Sequence, residues 1–328
     1  MKRVILAFDS FKGCASSQEI AASARQGIID VFPECAVVVV PVADGGEGTV
    51  EAICSNMSVE RVSCRVHDPL MNPMEAAYGI TSDGSTAILE MAAASGLPLI
   101  PQEKRNPLLT TTWGTGEMIA DALQRGCRRI VMGIGGSATN DGGVGMLQAL
   151  GFGFLDKNGN QISFGAKGLQ NLESITTEHV LPKLKDCSFR VACDVSNPLC
   201  GEQGCSAIFG PQKGATPTMI MQMDKWLAYY ATLAREQFPH ADAKYPGAGA
   251  AGGMGFAFLT FCNATLESGI KIVLEETNLR QYVQNADIVI TGEGRLDGQT
   301  VMGKAPIVPM MLYRRPKLFR RNYLIIGE

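Results

Sequence analysis

Residues 128–156 read RRIVMGIGGSATNDGGVGMLQALGFGFLD. The apolar run after the two arginines predicts a buried strand, and the glycines predict a turn that leads into a helix and a second strand. The turn carries four polar side chains, Ser137, Thr139, Asn140 and Asp141. A glycine-rich turn between a strand and a helix offers backbone N–H groups to phosphate oxygens. This stretch therefore predicts a phosphate-binding α/β unit.

The composition is that of a soluble globular protein of about two domains. The chain has 328 residues, of which 46% are hydrophobic and 19% charged, with a net charge of -3. No basic field favours nucleic acid or anionic membrane as a partner. The ten cysteines contain no C-x-x-C pair and are interpreted as reduced core thiols rather than disulfides. Asp9 ends the first apolar run too early for a signal peptide, so a cytoplasmic protein is expected.

Two strand-to-helix turns near the N-terminus carry candidate site residues. The apolar run at 4–8 predicts a strand, and a helix capped by Ser16 or Ser17 is expected to extend to about Val31. A second strand is expected at 36–42. The turns after these two strands contain Asp9, Ser10, Lys12, Asp44, Gly45 and Gly46. Polar residues beyond parallel strands lie where ligands bind, although turn capping or a solvated lysine would explain them as well. Asp44 could also hold a metal.

Residues 59–92 predict three short strands in an antiparallel meander, and a domain boundary is expected near 58. Glu90, at the end of this segment, is interpreted as lying on the open face of a half-solvated strand, with a buried functional carboxylate as the alternative.

A dinucleotide-binding function has to be weighed for the quoted stretch. Gly133 to Ala138 matches G-x-G-x-x-A, and Asp156 lies 21 residues beyond Gly135. However, residues 139–143 delay the helix, and the Asp141 carboxylate would repel a bare pyrophosphate unless a cation stood between them. Asp141 therefore favours magnesium or hydroxyl contacts. The D-G-G-x-G of 141–145 also repeats that of 44–48, which suggests two loops of one site.

Further candidates follow the later strands. Asp194 ends the apolar run at 189–195, where burial would raise the pKa of a general base, and a turn aspartate is the alternative. Lys213 lies in a loop, either as a phosphate contact or in solvent. Gly252 and Gly253 belong to a glycine run at 246–255 whose amides could receive an anion, with a hinge or close helix packing as the alternative. Glu293 follows the last strand, at 287–291.

Seven strings in order, DSFKG, VADGGEGT, GIGGSATNDGG, ACDVSNPL, FGPQKGA, PGAGAAGGMG and ITGEGRLDGQTVMGKAPI, resemble the signature series of the bacterial glycerate kinase family over residues 1 to about 307. The resemblance implies ATP- and Mg2+-dependent phosphorylation of D-glycerate to 2-phosphoglycerate. It also implies two α/β domains with the active site in the cleft between them. One is a discontinuous flavodoxin/Rossmann-like domain, 1–58 plus 285–328, and the other is an insert, 59–284.

Roles for the candidate residues follow from this resemblance and from the needs of phosphoryl transfer, namely cations, amides and an oriented hydroxyl. Asp194 is the expected base, Lys12 and Lys213 meet the transferred charge, and Asp44 and Asp141 bind Mg2+. The residues expected to bind ATP or substrate are Ser10, Gly45, Gly46, Gly135, Gly136, Ser137, Thr139, Asn140, Gly252, Gly253 and Glu293. An NAD-dependent oxidoreductase and a non-catalytic phospholigand-binding protein are the alternatives, and a monomer and a homodimer both stay open.

The last residues depart from the family pattern. Residues 309–328 carry five basic residues and one acidic residue, a net charge of +4, whereas the preceding residues have a net charge of -7. A truncation or shifted reading frame is expected to leave the first domain's sheet incomplete, with an unpaired edge and impaired stability and activity.

Overall fold

The structure is a computed structural model, and it describes residues 2–9, 11, 14–42, 54, 59–277, 279–294 and 323–326. Ser10, Lys12, Asp44, Gly45 and Gly46 lie outside the described residues, so the predictions made for them stay predictions. The strands are β1 Arg3–Phe8, β2 Ala36–Val39, β3 Val59–His67, β4 Pro73–Thr81, β5 Thr86–Glu90, β6 Arg129–Gly133, β7 Gly153–Leu155, β8 Ser174–Thr176, β9 Ser188–Ala192, β10 Thr265–Glu267, β11 Ile288–Glu293 and β12 Tyr323–Ile326.

The helices number nine among the described residues. They are α1 Ser17–Val31, α2 Ala92–Ser95, α3 Trp113–Gln124, α4 Val144–Ala149, α5 Cys205–Phe209, α6 Pro217–Gln237, α7 Ala250–Phe261, α8 Gly269–Glu276 and α9 Leu279–Gln284. Short 3-10 helices cover Leu97–Leu99, Gln102–Lys104, Ala166–Asn171, Pro182–Asp186 and Pro211–Lys213. In the described ranges, no helix is both long and apolar enough to cross a membrane.

The chain separates into two compact units, Met1–Val59 with Ser268–Glu328, and Glu60–Glu267. The segment 268–284 falls in the first unit because α8 and α9 bury Ile270, Leu279 and Val283 in the same apolar cluster as Ile5 and Val289 of the strands. The sequence placed the second boundary at 285, on the far side of these two helices. The domain assignment itself stays a prediction.

The first unit contains a parallel sheet in the order β12-β11-β1-β2. Successive side chains of β1 enter two different apolar clusters, Ile5 packing with α8 and α9, and Leu6 packing with α1. A strand covered on both faces by helices is typical of α/β proteins. The Ser16 hydroxyl and the Glu19 carboxylate form a capping box at the start of α1, so the predicted helix start is confirmed.

The second unit is organised around a six-stranded sheet in the order β10-β9-β6-β5-β4-β3. β5, β6, β9 and β10 are parallel, whereas β4 runs antiparallel to β5, so the three predicted strands of 59–92 are present and the antiparallel pairing of the last two is confirmed. β7 and β8 form a separate two-stranded antiparallel sheet. No disulfide joins any of the ten cysteines, all of which lie in the described ranges.

Candidate active site

Four parallel strands of the second unit end at the same level. Glu90 of β5 is the register partner of Gly133 of β6, Gly133 pairs with Ala192 of β9, and Ala192 pairs with Glu267 of β10. The turn 134–143 leaves β6 and the segment 193–204 leaves β9 just beyond this row. Ligands of α/β sheets bind outside the carboxyl ends of the strands, so this edge is the candidate site in the second unit.

The turn after β6 begins with two exposed glycines. Gly135 and Gly136 are exposed, and Gly136 has a φ of 72°. The Gly136 carbonyl accepts from Leu97 N–H at 2.8 Å, and Ala138 N–H donates to the Ser95 carbonyl at 2.9 Å. Within the described part of the chain, neither Gly135 N–H nor Gly136 N–H donates a hydrogen bond. These amides are therefore available to an anion, and the backbone around them is held by α2 and the residues after it.

Lys213 supports the same turn from the protein interior. Its Nζ donates to Ser137 Oγ at 2.7 Å and to the Thr139 carbonyl at 2.6 Å, and the side chain is 1% exposed. Burial lowers the pKa of this lysine to about 8, while Cys205 and Asp141 act in the opposite direction. The sequence left a phosphate contact or a solvated surface open for Lys213. The structure instead brings its ammonium group to the protein's own oxygen atoms.

Thr139 and Asn140 also face inward. Both are fully buried, and Asn140 Nδ2 donates to Ser206 Oγ at 2.8 Å on α5. Among the described residues, Thr139 Oγ1 and Asn140 Oδ1 have no hydrogen-bond partner. Buried polar atoms without a partner are uncommon. Both side chains lie on the interior side of the turn, where they support it, and not on its exposed side.

Asp141 is the most heavily bonded residue of the turn. Its Oδ2 accepts from Thr112 N–H at 2.8 Å, Thr112 Oγ1 at 2.9 Å, Gly145 N–H at 3.2 Å and Thr111 Oγ1 at 3.4 Å. Its Oδ1 accepts from Gly143 N–H at 3.1 Å. Burial raises the pKa of Asp141, and the bonds from Thr112, Gly143 and Gly145 oppose that rise. The carboxylate thus joins the start of α3 to the start of α4.

Thr111 and Thr112 were not assigned a role from the sequence, although three consecutive threonines, Thr110–Thr112, before a G-T-G-E string were a visible signal. All three are 0% exposed. Thr112 Oγ1 donates to Asp141 and accepts from Met146 N–H at 2.8 Å, and Thr110 Oγ1 donates to the Ala138 carbonyl at 2.9 Å. Polar residues that precede a helix are easily taken for caps, which hides such long-range contacts.

The glycine run before and inside α7 packs against both site loops. A Cβ at Gly252 would lie 2.1 Å from the Thr139 carbonyl oxygen, and one at Gly249 would lie 2.2 Å from the Pro198 carbonyl oxygen. The Gly252 carbonyl accepts from Gly142 N–H at 2.9 Å, and Gly249 N–H donates to the Asn197 carbonyl at 2.9 Å. Gly252 and Gly253 are buried with positive φ angles of 68° and 97°. The glycines of this run therefore allow close packing of backbone against backbone, the alternative that the sequence left open, and do not expose their amides to an anion.

Asp194 lies on the exposed side of the edge. It is two residues past Ala192, the last residue of β9, and its side chain is exposed. Asp194 is therefore not the buried carboxylate that the sequence predicted for a base here. Gly135 lies two residues past Gly133 on the neighbouring strand, so Asp194 and Gly135 follow the aligned row by the same number of residues.

The remaining described candidate belongs to the first unit. Glu293 ends β11 and is 5% exposed, and the adjacent Gly292 carbonyl accepts from Asp9 N–H at 3.0 Å at the end of β1. Both acidic residues thus lie at the carboxyl ends of neighbouring parallel strands, the location predicted for ligand contacts in that unit.

The dinucleotide-binding alternative fails on topology. Its fingerprint requires a strand–helix–strand unit with the second strand parallel in the same sheet. β7 instead makes antiparallel pairings among the described residues, with β8 and at the bridge between Leu155 and Gln161. The Asp156 carboxylate accepts from Asn158 N–H at 2.8 Å and Asn160 N–H at 3.0 Å, which closes the hairpin turn between 156 and 160. Asp156 is therefore a turn residue.

Comparison with known proteins gives consistent matches. The family described as "Glycerate kinase family" matches residues 4–317. Glycerate 2-kinase of Escherichia coli (strain K12) is 52% identical over 307 residues, which cover 93% of this chain and 80% of that protein. Glycerate kinase of Haemophilus influenzae is 50% identical over 305 residues, which cover 93% of this chain and 81% of that protein.

A solved structure matches as well. The crystal structure of putative glycerate kinase 2 from Salmonella typhimurium LT2 superposes with a TM-score of 0.93 and 45% sequence identity, over 99% of this chain and 87% of that one.

Proposed function

The chain belongs to the glycerate kinase family and is an ATP-dependent kinase, and we propose that it phosphorylates the 2-hydroxyl of D-glycerate to give 2-phosphoglycerate. The preference for the 2-hydroxyl is supported by the name of the Escherichia coli relative, a glycerate 2-kinase. The oxidoreductase and the non-catalytic alternatives are not retained. A cytoplasmic location stays a prediction, as does the choice between monomer and homodimer.

One observation in the second unit carries the proposed mechanism. The exposed Gly135–Gly136 turn, with amides that donate to no atom of the described chain, follows β6 directly beside the strand that leads to Asp194. Phosphoryl transfer requires little covalent chemistry from the protein. It requires amides or cations that meet the charge on the phosphate oxygens and a group that orients the attacking hydroxyl.

In this proposal the amides of Gly135 and Gly136 bind phosphate oxygens of ATP. Asp194 accepts the proton of the 2-hydroxyl while that oxygen attacks the γ-phosphorus and the bond to the departing ADP oxygen breaks. The exposed position of Asp194 places its carboxylate where a substrate hydroxyl can reach it. Ser137 Oγ accepts a hydrogen bond from Lys213 Nζ, which leaves its own O–H proton to donate to a phosphate oxygen.

Lys213 acts on the phosphate indirectly. Since its ammonium donates to Ser137 Oγ and the Thr139 carbonyl, it keeps the turn in shape and adds positive potential behind it. Thr139 and Asn140, expected from the sequence to contact the ligand, support the turn in the same indirect way. Gly252 and Gly253 support it through backbone packing.

Magnesium is proposed as the ion that accompanies ATP and shields the charge of its phosphates. Asp141 fits a metal ligand poorly, because five protein donors already bond to its two oxygens and it is 1% exposed. The described residues contain no group of three or more His, Cys, Asp or Glu side chains arranged to hold a metal. Asp44 stays the predicted ligand, and Ser10, Lys12, Gly45, Gly46 and Glu293 stay predicted contacts of substrate or nucleotide.

The activity is tested with ATP, Mg2+ and D-glycerate, and the product is identified by phosphorus NMR. Phosphate on C2 couples to one proton and gives a doublet, whereas phosphate on C3 couples to two and gives a triplet. A triplet would contradict the proposed position, and the absence of any phosphoglycerate would contradict the proposed function.

The role of Asp194 is tested by Asp194→Asn. We expect kcat to fall roughly 10²–10⁴-fold because the amide cannot accept the proton. The melting temperature should stay unchanged because the side chain is exposed. Asp156→Asn is the matched control, an acidic residue in a hairpin turn, and should retain wild-type turnover. Normal kcat in Asp194→Asn would remove the assignment.

A further inference from the structure

Glu90 is a carboxylate at the site edge whose placement the sequence did not predict. β5 is a central strand between β4 and β6, and its residues 86–89 are all buried, so the strand is not half-solvated. Glu90 is the last residue of β5, partly exposed, and level with Gly133 and Ala192 of the next two strands. It therefore stands at the carboxyl edge, on the opposite side of β6 from Asp194.

The side chain of Glu90 lies toward β6. A Cβ built on Gly133 would come 3.5 Å from Glu90 Cγ, with the Leu89 carbonyl oxygen next at 3.8 Å. Register partners of parallel strands point to the same face of a sheet, so Glu90, Gly133 and Ala192 share one face. Two of these three residues carry no side chain beyond a methyl group. Glu90 thus lies beside two small residues, Gly133 and Ala192, which we call the floor of the site. The exposed glycine turn follows the strand that carries Gly133, and Asp194 follows the strand that carries Ala192.

The chemistry of a small hydroxy acid determines which of its groups can meet this carboxylate. Carboxylate oxygens accept hydrogen bonds, so this group can accept one from a hydroxyl, whereas an ionised phosphate oxygen or the acid's own carboxylate has no proton to donate to it. D-glycerate has two hydroxyls, and the proposed reaction uses the one on C2. We propose that Glu90 accepts a hydrogen bond from the C3 hydroxyl of the acceptor and so distinguishes glycerate from 2-hydroxy acids that lack this group.

This inference rests on the proposed function, and D-lactate is the matching probe. D-lactate keeps the configuration and the C2 hydroxyl of D-glycerate and lacks only the C3 hydroxyl. A site built to bond a substrate hydroxyl rejects the analogue that lacks it far more strongly than a site that merely encloses it. The wild-type kinase should therefore favour D-glycerate over D-lactate by at least about 10²-fold in kcat/KM.

The test compares the two acceptors in wild type and in Glu90→Met. The variant should lose about ten- to a hundredfold in kcat/KM for D-glycerate, the range for one hydrogen bond to a charged group, and less than about threefold for D-lactate. Glu178→Met, which alters an exposed glutamate before β9, should leave both values unchanged. Equal losses for both acceptors, or a change in the half-saturating Mg2+ or ATP concentration in place of the acceptor preference, would overturn the inference.

Gly133→Ala provides a second test that does not depend on how the fold tolerates a change at Glu90. Its new methyl group would make only ordinary contacts with the protein, so the melting temperature should stay within about 2 °C of wild type. The same methyl occupies the floor beside Glu90, so the KM for D-glycerate should rise about tenfold with little change in the KM for ATP. Unchanged acceptor kinetics in this variant would contradict an acceptor site at the floor.

The proposed function and the proposed role of Glu90 are contradicted by different results. If wild type phosphorylates neither acid, the proposed function is wrong and the inference falls with it. If wild type phosphorylates D-glycerate and both variants keep the wild-type preference, only the role of Glu90 is wrong.

Discussion

Two glycine pairs in the second unit, Gly135–Gly136 and Gly252–Gly253, were assigned the same anion-binding role from the sequence and have opposite environments. The first pair is exposed, and its N–H groups donate to no described residue. The second pair is buried, and the Gly252 backbone lies against Thr139 and Asn140. Gly136 and Gly252 even have similar positive φ angles of 72° and 68°.

The difference teaches that a glycine run has two uses that local sequence does not separate. A missing Cβ can open the backbone to a ligand, or it can let two backbones approach each other. Here the buried pair holds in place the loop that presents the exposed pair. Substitutions on the buried side should therefore lower stability, and those on the exposed side should lower activity.

The strongest test of the buried side is Asp141→Ala. We expect the free energy of unfolding to fall by about 3–5 kcal/mol, because buried N–H and hydroxyl donors of 111–112 and 143–145 lose their acceptor. Urea unfolding measures this change. Asp141→Asn keeps one acceptor oxygen and should lose less. If Asp141→Ala instead kept the wild-type free energy of unfolding and lost only the Mg2+ dependence of its activity, Asp141 would be a metal ligand.

Gly252→Ala comes next in expected size. The added Cβ would lie 2.1 Å from the Thr139 carbonyl oxygen and would be forced to keep a positive φ, so we expect a loss of about 2–4 kcal/mol in unfolding free energy. Thermal denaturation and urea unfolding measure the loss. A fully stable Gly252→Ala protein would show that the backbone contact with the turn is not tight.

Lys213→Met should lower stability by about 1–3 kcal/mol at neutral pH, because Ser137 Oγ and the Thr139 carbonyl lose their donor. The pH dependence is more specific. The pKa of Lys213 is about 8 in the folded protein, below that of the unfolded chain, so the unfolded state binds more protons between these values. Stability of wild type relative to Lys213→Met should therefore rise as the pH increases from about 8.

A Lys213→Arg variant tests whether titration of the lysine causes this pH dependence, since arginine keeps a positive charge that does not titrate in this range. It should abolish the rise of relative stability above pH 8 even if it folds less well. A stability difference between wild type and Lys213→Met that does not vary from pH 7 to 10 would show that the ammonium is not the buried, titrating group.

Gly136→Ala has the smallest expected effect on stability. The nearest atom to its new Cβ is the Ala92 Cβ at 3.6 Å, so only the positive φ is unfavourable, at about 1 kcal/mol. Because the methyl group stands beside the exposed amides, kcat/KM for ATP should nevertheless fall about tenfold, which corresponds to 1.4 kcal/mol of transition-state stabilisation. If Gly136→Ala lost stability as Gly252→Ala does, the contrast between the two glycine pairs would be wrong.

The elements of the fold were largely predictable because their signals are local. The capping box at Ser16 and Glu19, the apolar run that became β6 and the amphipathic pattern that became α6 each identify an element from neighbouring residues. An amphipathic pattern over residues 218–238 matches α6, Pro217–Gln237, to within one residue at each end. The order of the strands in the six-stranded sheet required contacts between residues far apart in the chain.

The candidate site was predictable as a set of loops but not in the roles of its side chains. The polar turn after β6 and Asp194 after β9 do lie at one carboxyl edge. Lysines are seldom fully buried, so no local pattern indicated that Lys213 turns inward, or that Asp141 collects bonds from threonines 29 and 30 residues away. Glu90 was misplaced because the residues of β5 do not reveal that both faces of this strand are buried in the fold.

Residue types and their spacing were enough to establish the strands, the helices, the glycine-rich turns and the resemblance to a kinase family, because periodicity and turn chemistry are properties of short segments. The tertiary structure alone decided which glycines face solvent, which charges are buried, and which carboxylates stand at the edge of the sheet. Burial and hydrogen bonding depend on partners that the fold brings together from distant segments, so a residue's own neighbours in the chain do not specify them.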